Sequence, residues 1–127
     1  MAKTICKIFG TVLLLVGIVG FFTHNLLGLH LTNIHNIVHI LTGLVALYFG
    51  VSGSDASART FSQVFGAIYA LLGIVGFIQP NIIATVIQFH EAGAGSDTMI
   101  MDNIVHLLVG AVFLIVGFIR APQPAST

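Results

Sequence analysis

NIHNIVHILTGL, residues 33–44, begins an apolar run with two histidines and two asparagines. The same pattern returns at residues 99–111 as MIMDNIVHLLVGA. Two such stretches in one chain indicate an internal repeat, and they raise the question of why polar side chains open an apolar segment. The matched polar positions are Asn36 with Asn103, His39 with His106, and His35 with Asp102.

The composition indicates a membrane protein. Of the 127 residues, 57% are hydrophobic and only 6% are charged, whereas a soluble domain carries about 25% charged residues. So few charges cannot cover a surface in water, and the lipid bilayer is therefore the expected solvent. Only four residues are lysine or arginine and the formal net charge is zero, so the chain is not basic enough for nucleic-acid binding. The single cysteine excludes a disulfide within the chain.

Four apolar runs are each close to the length of about 17–25 residues that a helix needs to cross hydrocarbon. Helices are required there because unpaired backbone groups would find no water to bond. The sequence therefore predicts an all-α fold in which residues 1–127 form a single membrane domain, a four-transmembrane-helix bundle. The predicted spans are residues 5–22, 34–51, 61–78 and 99–119.

The repeat extends over most of the chain, with one unit at residues 5–51 and the other at 61–119. The motif GIVGF occurs in both units. The offset is 56 residues for the first pair of helices and 67 for the second, so an eleven-residue insertion is expected within QFHEAGAGSDT. Each unit crosses the membrane twice, which makes the units parallel helical hairpins related by a pseudo-two-fold axis along the membrane normal. Residues 121–127 are expected to be a disordered tail.

Glycines recur seven residues apart on every predicted helix. This spacing keeps them on one stripe, where small residues let helix backbones approach each other closely. The sequence therefore predicts glycine-lined seams between helices. The residues concerned are Gly10, Gly17, Gly43, Gly50, Gly66, Gly73, Gly110 and Gly117.

The basic residues predict the orientation. Lys3, Lys7, Arg59 and Arg120 all lie on the side that holds the two termini and the loop after the second helix. The positive-inside rule then makes both termini cytoplasmic. The polar cluster at the start of the second and fourth helices is consequently expected in the outer leaflet.

The polar cluster predicts a metal site. His35 and His39 are four residues apart and share one face of the second helix, and Asp102 and His106 do the same on the fourth. If these helices are neighbours, three histidines and one carboxylate complete a tetrahedral shell for a divalent metal. Imidazole-rich sites suit zinc or copper, between which the sequence does not choose.

A metal would also balance the charge of Asp102. An ionised carboxylate in hydrocarbon costs about 2.5–3.5 kcal/mol on insertion scales. No lysine or arginine lies on that side, so the cation must be a protonated histidine or a metal. Asn36 and Asn103 lie one position off the histidine stripe, where they are expected to orient the imidazoles.

Other interpretations of the cluster stay open. Histidine and asparagine also hydrogen bond across helix interfaces, as they could in an accessory or assembly subunit of a larger pigment or redox complex. His39 and His106 could ligate haem or chlorophyll, and the His–Asp cluster could transfer protons. The loop histidines are expected to be solvated, although each could complete the site from above; they are His24, His30 and His90.

Motifs for catalysis are not evident in the sequence. It has no phosphate-binding glycine loop, no nucleophile beside a histidine and no pair of carboxylates. An enzyme is possible only if a bound metal keeps an open coordination position, and a scaffold or subunit of a larger assembly is the favoured interpretation. After Pro80, residues 81–90 read NIIATVIQFH and predict a short helix at the outer surface that is capped by Asn81.

The blocks HNIVHxxxG and DNIVHxxxG each follow a GIVGF helix. Over nearly its whole length the chain resembles a family of small bacterial four-helix membrane proteins that is classed as a domain of unknown function. The resemblance implies the fold and a multi-pass location in the bacterial inner membrane, and it implies no activity. Beyond the lipid bilayer, a larger membrane complex or a homo-oligomer is an open expectation.

Overall fold

The computed structural model describes residues 1–86 and 99–119, and these residues form a helical bundle. Among them, four helices are long and apolar enough to cross a membrane, which confirms the predicted all-α four-helix fold. The long helices are α1 (Ala2–Gly20), α2 (Asn33–Val51), α3 (Asp55–Ile78) and α5 (Met99–Phe118); α4 (Pro80–Val86) is shorter, and β1 (Asn25–Leu26) pairs antiparallel with β2 (Leu29–His30).

Large apolar side chains cover the outward faces of the long helices. Leu15, Leu41, Leu71 and Leu108, one on each long helix, are all more than half exposed. In water such surface would cost roughly 25 cal/mol per Å², whereas lipid tails solvate it well. The chain is therefore a multi-pass membrane protein.

Side-chain caps set the first residues of α2 and α3. The Thr32 hydroxyl accepts a hydrogen bond from the backbone N–H of His35 at 3.2 Å. The Ser54 hydroxyl accepts one from the N–H of Ser57 at 3.1 Å. Such caps satisfy backbone donors that have no partner inside the helix. This is why α3 begins at Asp55, earlier than the apolar run at residue 61.

Each hairpin is held together by close backbone packing, α1 along α2 and α3 along α5. A Cβ added to Gly10 would lie 2.8 Å from the backbone nitrogen of Leu47 and 2.9 Å from the carbonyl oxygen of Gly43. No side chain fits there without moving the facing helix, so the contact requires glycine. The corresponding contact in the second hairpin joins Gly66 to Leu114 and Gly110.

Asparagine side chains close the other end of each glycine seam. The Oδ1 atom of Asn36 occupies the space that a Cβ of Gly20 would take, and the Oδ1 of Asn103 does the same at Gly76. The Nδ2 group of Asn36 donates to the carbonyl oxygen of Leu31 at 3.2 Å. These matching contacts are those that a duplication would produce, although the duplication itself stays a prediction.

The two hairpins meet at the end of the bundle that holds the N-terminus. Cys6 Sγ of α1 and Ser62 Oγ of α3 are 3.7 Å apart, within hydrogen-bond distance, and the two residues are 56 positions apart in the chain. Next to them, the ring of Phe113 packs edge-on against Phe9 and Phe65, with centroid distances of 5.3 and 4.7 Å. Aromatic packing therefore fills this half of the interface.

The connection between α1 and α2 forms a small β-hairpin that the sequence analysis did not predict. Its turn residues Leu27 and Gly28 both have positive φ, 55° and 86°, as a type I′ turn requires. The side chain of Asn25 accepts a hydrogen bond from the N–H of Gly28 at 3.1 Å. Glycine fits this turn, and a leucine at positive φ is unusual, which is why no hairpin signal was evident.

The predicted short helix after α3 corresponds to α4, which begins at Pro80 and ends at Val86. The remainder of that predicted segment, His90 and the predicted insertion lie outside the described residues. The same holds for Arg120 and for the predicted tail at residues 121–127.

We expect the contact between Gly20 and Asn36 to be energetically important. Gly20→Ala forces the new methyl group against the amide of Asn36, and overpacking of this kind costs about 1–3 kcal/mol of unfolding free energy. The measurement is equilibrium unfolding of the purified protein in detergent.

The double variant tests this explanation. In an Asn36→Ala background the clashing amide is absent, so Gly20→Ala should cost clearly less than in the wild type. An equal cost in both backgrounds would contradict the proposed contact.

Candidate functional site

The predicted site residues lie at the end of the bundle where β1 and β2 are found. His35 and His39 project from the first turns of α2, and Asp102 and His106 from those of α5. All four side chains are buried. Thr32 caps α2 directly before the first pair, so His35 and His39 lie in the first turns of that helix. The four-residue spacing places the two members of each pair on one helix face.

Three imidazoles of this group come together between the hairpins. The ring centroids of His35 and His39 are 4.2 Å apart, and those of His35 and His106 are 5.9 Å apart. The ring of Tyr69, from α3, lies 5.2 Å from that of His106. The tertiary structure thus brings histidines of both predicted repeat units to one place.

Asp102 forms hydrogen bonds with His30, a loop histidine that was expected to be solvated. The backbone N–H of His30 donates to Asp102 Oδ1 at 3.2 Å, and its Nδ1–H donates to Oδ2 at 3.1 Å. The His30 side chain is only 7% exposed. The expectation that His30 is solvated is therefore wrong, because β2 places it directly over the start of α5.

One signal in the sequence did indicate such a partner. The charge of Asp102 required either a protonated histidine or a metal on that side of the membrane. Which histidine pairs with Asp102 depends on the β-hairpin, which local sequence did not predict. His24 is exposed as expected, and its Nδ1–H donates to the carbonyl of Leu31 at 3.3 Å.

A hydrogen bond also fixes the tautomer of His35. Its Nδ1 lies 2.7 Å from the carbonyl oxygen of His30. A carbonyl oxygen only accepts, so Nδ1 carries the proton and a neutral ring has its lone pair on Nε2. Asp102, His30 and His35 thus form a continuous hydrogen-bonded chain from α5 through β2 to α2.

His39 and His106 differ from His35. Within residues 1–86 and 99–119, the Nδ1 atom of each is buried and has no hydrogen-bond partner. A buried polar atom without a partner costs about 1–3 kcal/mol, and such atoms in native proteins often mark a functional site.

The expected role of the two asparagines was to orient the imidazoles. The side-chain oxygens of Asn36 and Asn103 instead pack on glycine backbones, and neither has a conventional hydrogen-bond donor in the described part of the chain. Weak Cα–H···O contacts are the interactions available to them there. Their position fixes how α1 meets α2 and how α3 meets α5.

A cavity of about 240 Å³ lies beside the imidazoles. His35, His39, Tyr69, Asp102 and His106 line one part of it, and the remainder of its wall is apolar. As the side chains stand, no group of three or more His, Cys, Asp or Glu residues in the described ranges is arranged to hold a metal ion. The predicted residues are thus brought together without forming a complete coordination shell.

The pair of His30 and Asp102 yields a stability prediction. His30→Phe removes the side-chain partner of a buried carboxylate and leaves it only the backbone N–H of residue 30, which should cost about 3–5 kcal/mol of unfolding free energy. The matched control His24→Phe changes an exposed ring with one hydrogen bond to Leu31 and should cost only about 0.5–1.5 kcal/mol.

A rescue variant checks the cause of this loss. Adding Asp102→Leu to His30→Phe removes the unpaired charge and should restore most of the lost stability. Unfolding in detergent measures all three variants. A double variant no more stable than His30→Phe would show that the charge is not the cause.

A protein-family model matches most of the chain. No curated protein and no solved structure matches this chain. The model of one protein family, described as a domain of unknown function (DUF4383), matches residues 3–119. That range includes α2, α3 and α5, all of α1 except Ala2, and all of the clustered histidines. The chain therefore belongs to the DUF4383 family, whose function is unknown.

Proposed function

We propose that this membrane protein binds one transition-metal ion through the imidazoles of His35, His39 and His106. The observation that carries the proposal is the meeting of these three rings between the hairpins, two of them with a buried Nδ1 that has no partner in the described chain. Neutral imidazole is a preferred ligand of zinc and copper.

The ring spacing supports this proposal. Imidazoles that share one zinc ion, with Zn–N bonds of about 2.0 Å, have centroids roughly 5 Å apart. The observed distances of 4.2 and 5.9 Å lie on either side of that value. Metal binding would require changes in side-chain torsion angles that bring the ring nitrogens together, because the side chains as they stand form no coordination shell in the described residues.

The hydrogen-bonded chain gives Asp102 a different role from the one that the sequence suggested. Both of its oxygens accept hydrogen bonds from His30, so it acts through His30 and not as a direct ligand. The carbonyl oxygen of His30 in turn accepts a hydrogen bond from the Nδ1–H of His35. Such outer partners fix ring orientation, and their loss typically weakens metal binding about 10–100-fold.

A second candidate is a purely structural cluster in an accessory or assembly subunit of a larger membrane complex, or in a homo-oligomer. The observation that favours it is that Asp102 is already satisfied by His30, which joins the hairpins without a metal. Ligation of haem or chlorophyll by His39 and His106 is less well supported, because 240 Å³ is below the range of about 300–1,000 Å³ typical of ligand pockets.

Metal analysis separates these candidates. Protein loaded with zinc or copper and then desalted should retain about one equivalent, and chelation should lower its melting temperature. His39→Ala and His106→Ala should both abolish retention. His24→Ala, outside the cluster, is the matched control and should retain the ion.

The Asp102→Asn variant should weaken metal affinity to an intermediate value. It should keep the fold and weaken affinity about 10–100-fold without abolishing binding. Wild-type protein that retains no metal and melts at the same temperature in chelator would rule out the metal site and favour the structural cluster.

We also propose that the termini are cytoplasmic and that the histidine end faces the outside of a bacterial inner membrane. Lys3, Lys7 and Arg59 support this, because all three lie at the end that carries the N-terminus. In a Cys6→Ser background, Leu27→Cys should react with an impermeant thiol reagent in intact cells. A cysteine at Ser54 should react only after permeabilisation, and the opposite pattern would reverse the orientation.

A further inference from the structure

The tip of the β-hairpin between α1 and α2 is unusual in both conformation and exposure. Leu27 has a positive φ of 55°, a region that glycine, asparagine and aspartate enter far more readily than leucine. Its side chain is also 89% exposed, the highest value among the large apolar side chains of the described residues. A leucine at this place is therefore costly if the tip lies in water.

Hydrogen bonds hold this hairpin in one position on the bundle. Within it, β1 pairs with β2, and the N–H of Gly28 donates to the side chain of Asn25 at 3.1 Å. At its base, His30 donates through both its backbone and its ring to Asp102 of α5. The bundle therefore fixes where the tip lies, and the exposure of Leu27 is not that of a loosely attached loop.

The tip lies at the lipid-facing rim of α5. A Cβ added to Gly28 would be in van der Waals contact with Met101, 3.7 Å from its Cγ and 3.8 Å from its Cβ. Met101 is 45% exposed, and it shares one face of α5 with Leu108 and Ile115, which are 62% and 54% exposed. That face is covered by lipid, so Leu27, the residue before Gly28, adjoins the edge of an existing lipid contact.

The other end of the hairpin borders the lipid-facing surface of α1. The N–H of Phe22 donates to the carbonyl oxygen of Val19 at 2.9 Å, so the last turn of the helix extends to this residue. Its ring is 87% exposed and continues the face of Ile8 and Leu15, which are 51% and 56% exposed. Lipid-facing surface thus leads up to the hairpin from two different helices.

We propose that the hairpin binds the membrane surface itself, with Leu27 and Phe22 inserted at the boundary between headgroups and acyl chains on the histidine side of the bilayer. Leucine and phenylalanine are typical of segments that lie at this boundary, buried by roughly 5–10 Å. His24 and Asn25, both exposed, then lie among the headgroups. The boundary is hydrated, so a cysteine at position 27 still reacts with an impermeant reagent from that side.

Continuity with the lipid-facing faces of α1 and α5 is what favours lipid over a protein partner. A protein that covered Leu27 would also have to displace lipid from Met101 beside it, whereas the bilayer covers both side chains at once. The proposal concerns the lipid contact of the hairpin and does not depend on whether the histidines bind a metal.

The test uses tryptophan as a reporter of depth, because the chain contains no tryptophan of its own. Full-length Leu27→Trp is placed in nanodiscs that each hold one copy, with lipids brominated either near the headgroup or near the chain end. We expect quenching by both lipids, stronger by roughly twofold for bromine near the headgroup, because the proposed depth is shallow. Aqueous acrylamide should quench this tryptophan clearly less than free tryptophan amide.

Two further variants serve as control and as second reporter. Leu108→Trp replaces an exposed leucine in the middle of α5 and should be quenched more strongly by bromine near the chain end. Phe22→Trp exchanges one exposed aromatic ring for another and should show the same shallow depth as Leu27→Trp. It leaves the turn residues unchanged, so it tests the proposal even if Leu27→Trp does not fold.

Contrary results are easily recognised. Acrylamide quenching equal to that of free tryptophan amide, at either Leu27→Trp or Phe22→Trp, would place that side chain in water and overturn the proposal. Protection of Leu27→Trp from acrylamide and from both brominated lipids would show that protein covers the tip, which also overturns it. Addition of chelator should leave the depth pattern unchanged, so this result is separable from that of the metal analysis.

Discussion

Contact between helix backbones at glycine is the constraint on which the rest of this structure depends. Gly10 against Gly43 and Gly66 against Gly110 bring α1 onto α2 and α3 onto α5. Without a hydrophobic force between helices in lipid, close van der Waals packing is the main source of association. Each hairpin is therefore a compact unit, and the two units have fewer contacts left for each other.

The two hairpins pack less closely against each other than the helices do within each hairpin, and this leaves room for the histidine cluster. Near the N-terminus the interface between hairpins is filled by aromatic rings around Phe113 and by the contact of Cys6 with Ser62. Towards the other end this packing gives way to the imidazoles and the cavity of about 240 Å³. The polar residues therefore lie where apolar packing between the units is incomplete.

The polar groups at this end pair with one another, because no water is available to them inside the bundle. β2 brings His30 over Asp102 so that both carboxylate oxygens accept hydrogen bonds. The same histidine orients His35 through its carbonyl. His39 and His106 remain outside this chain of hydrogen bonds, which makes them the residues most suited to contact a ligand.

The sequence by itself determined the class, the number of spans and the polar positions. Apolar runs of spanning length left helices as the only way to satisfy the backbone in lipid, so α1, α2, α3 and α5 were predictable. The four-residue spacing of His35 and His39 also placed them on one face without knowledge of any neighbour.

Only the tertiary structure decided which groups pair. The partner of Asp102 is His30, which is 72 residues away in the chain. His30 is positioned by a β-hairpin whose turn has a leucine at positive φ. Asn36 and Asn103 face glycine rather than imidazole, because the GIVGF glycines leave room for an amide at the helix crossing. The cavity exists because four helices meet unevenly. The spacing of residues within one helix follows from the local sequence and can be predicted from it. The pairing of distant elements depends on how those elements pack, which the local sequence does not determine.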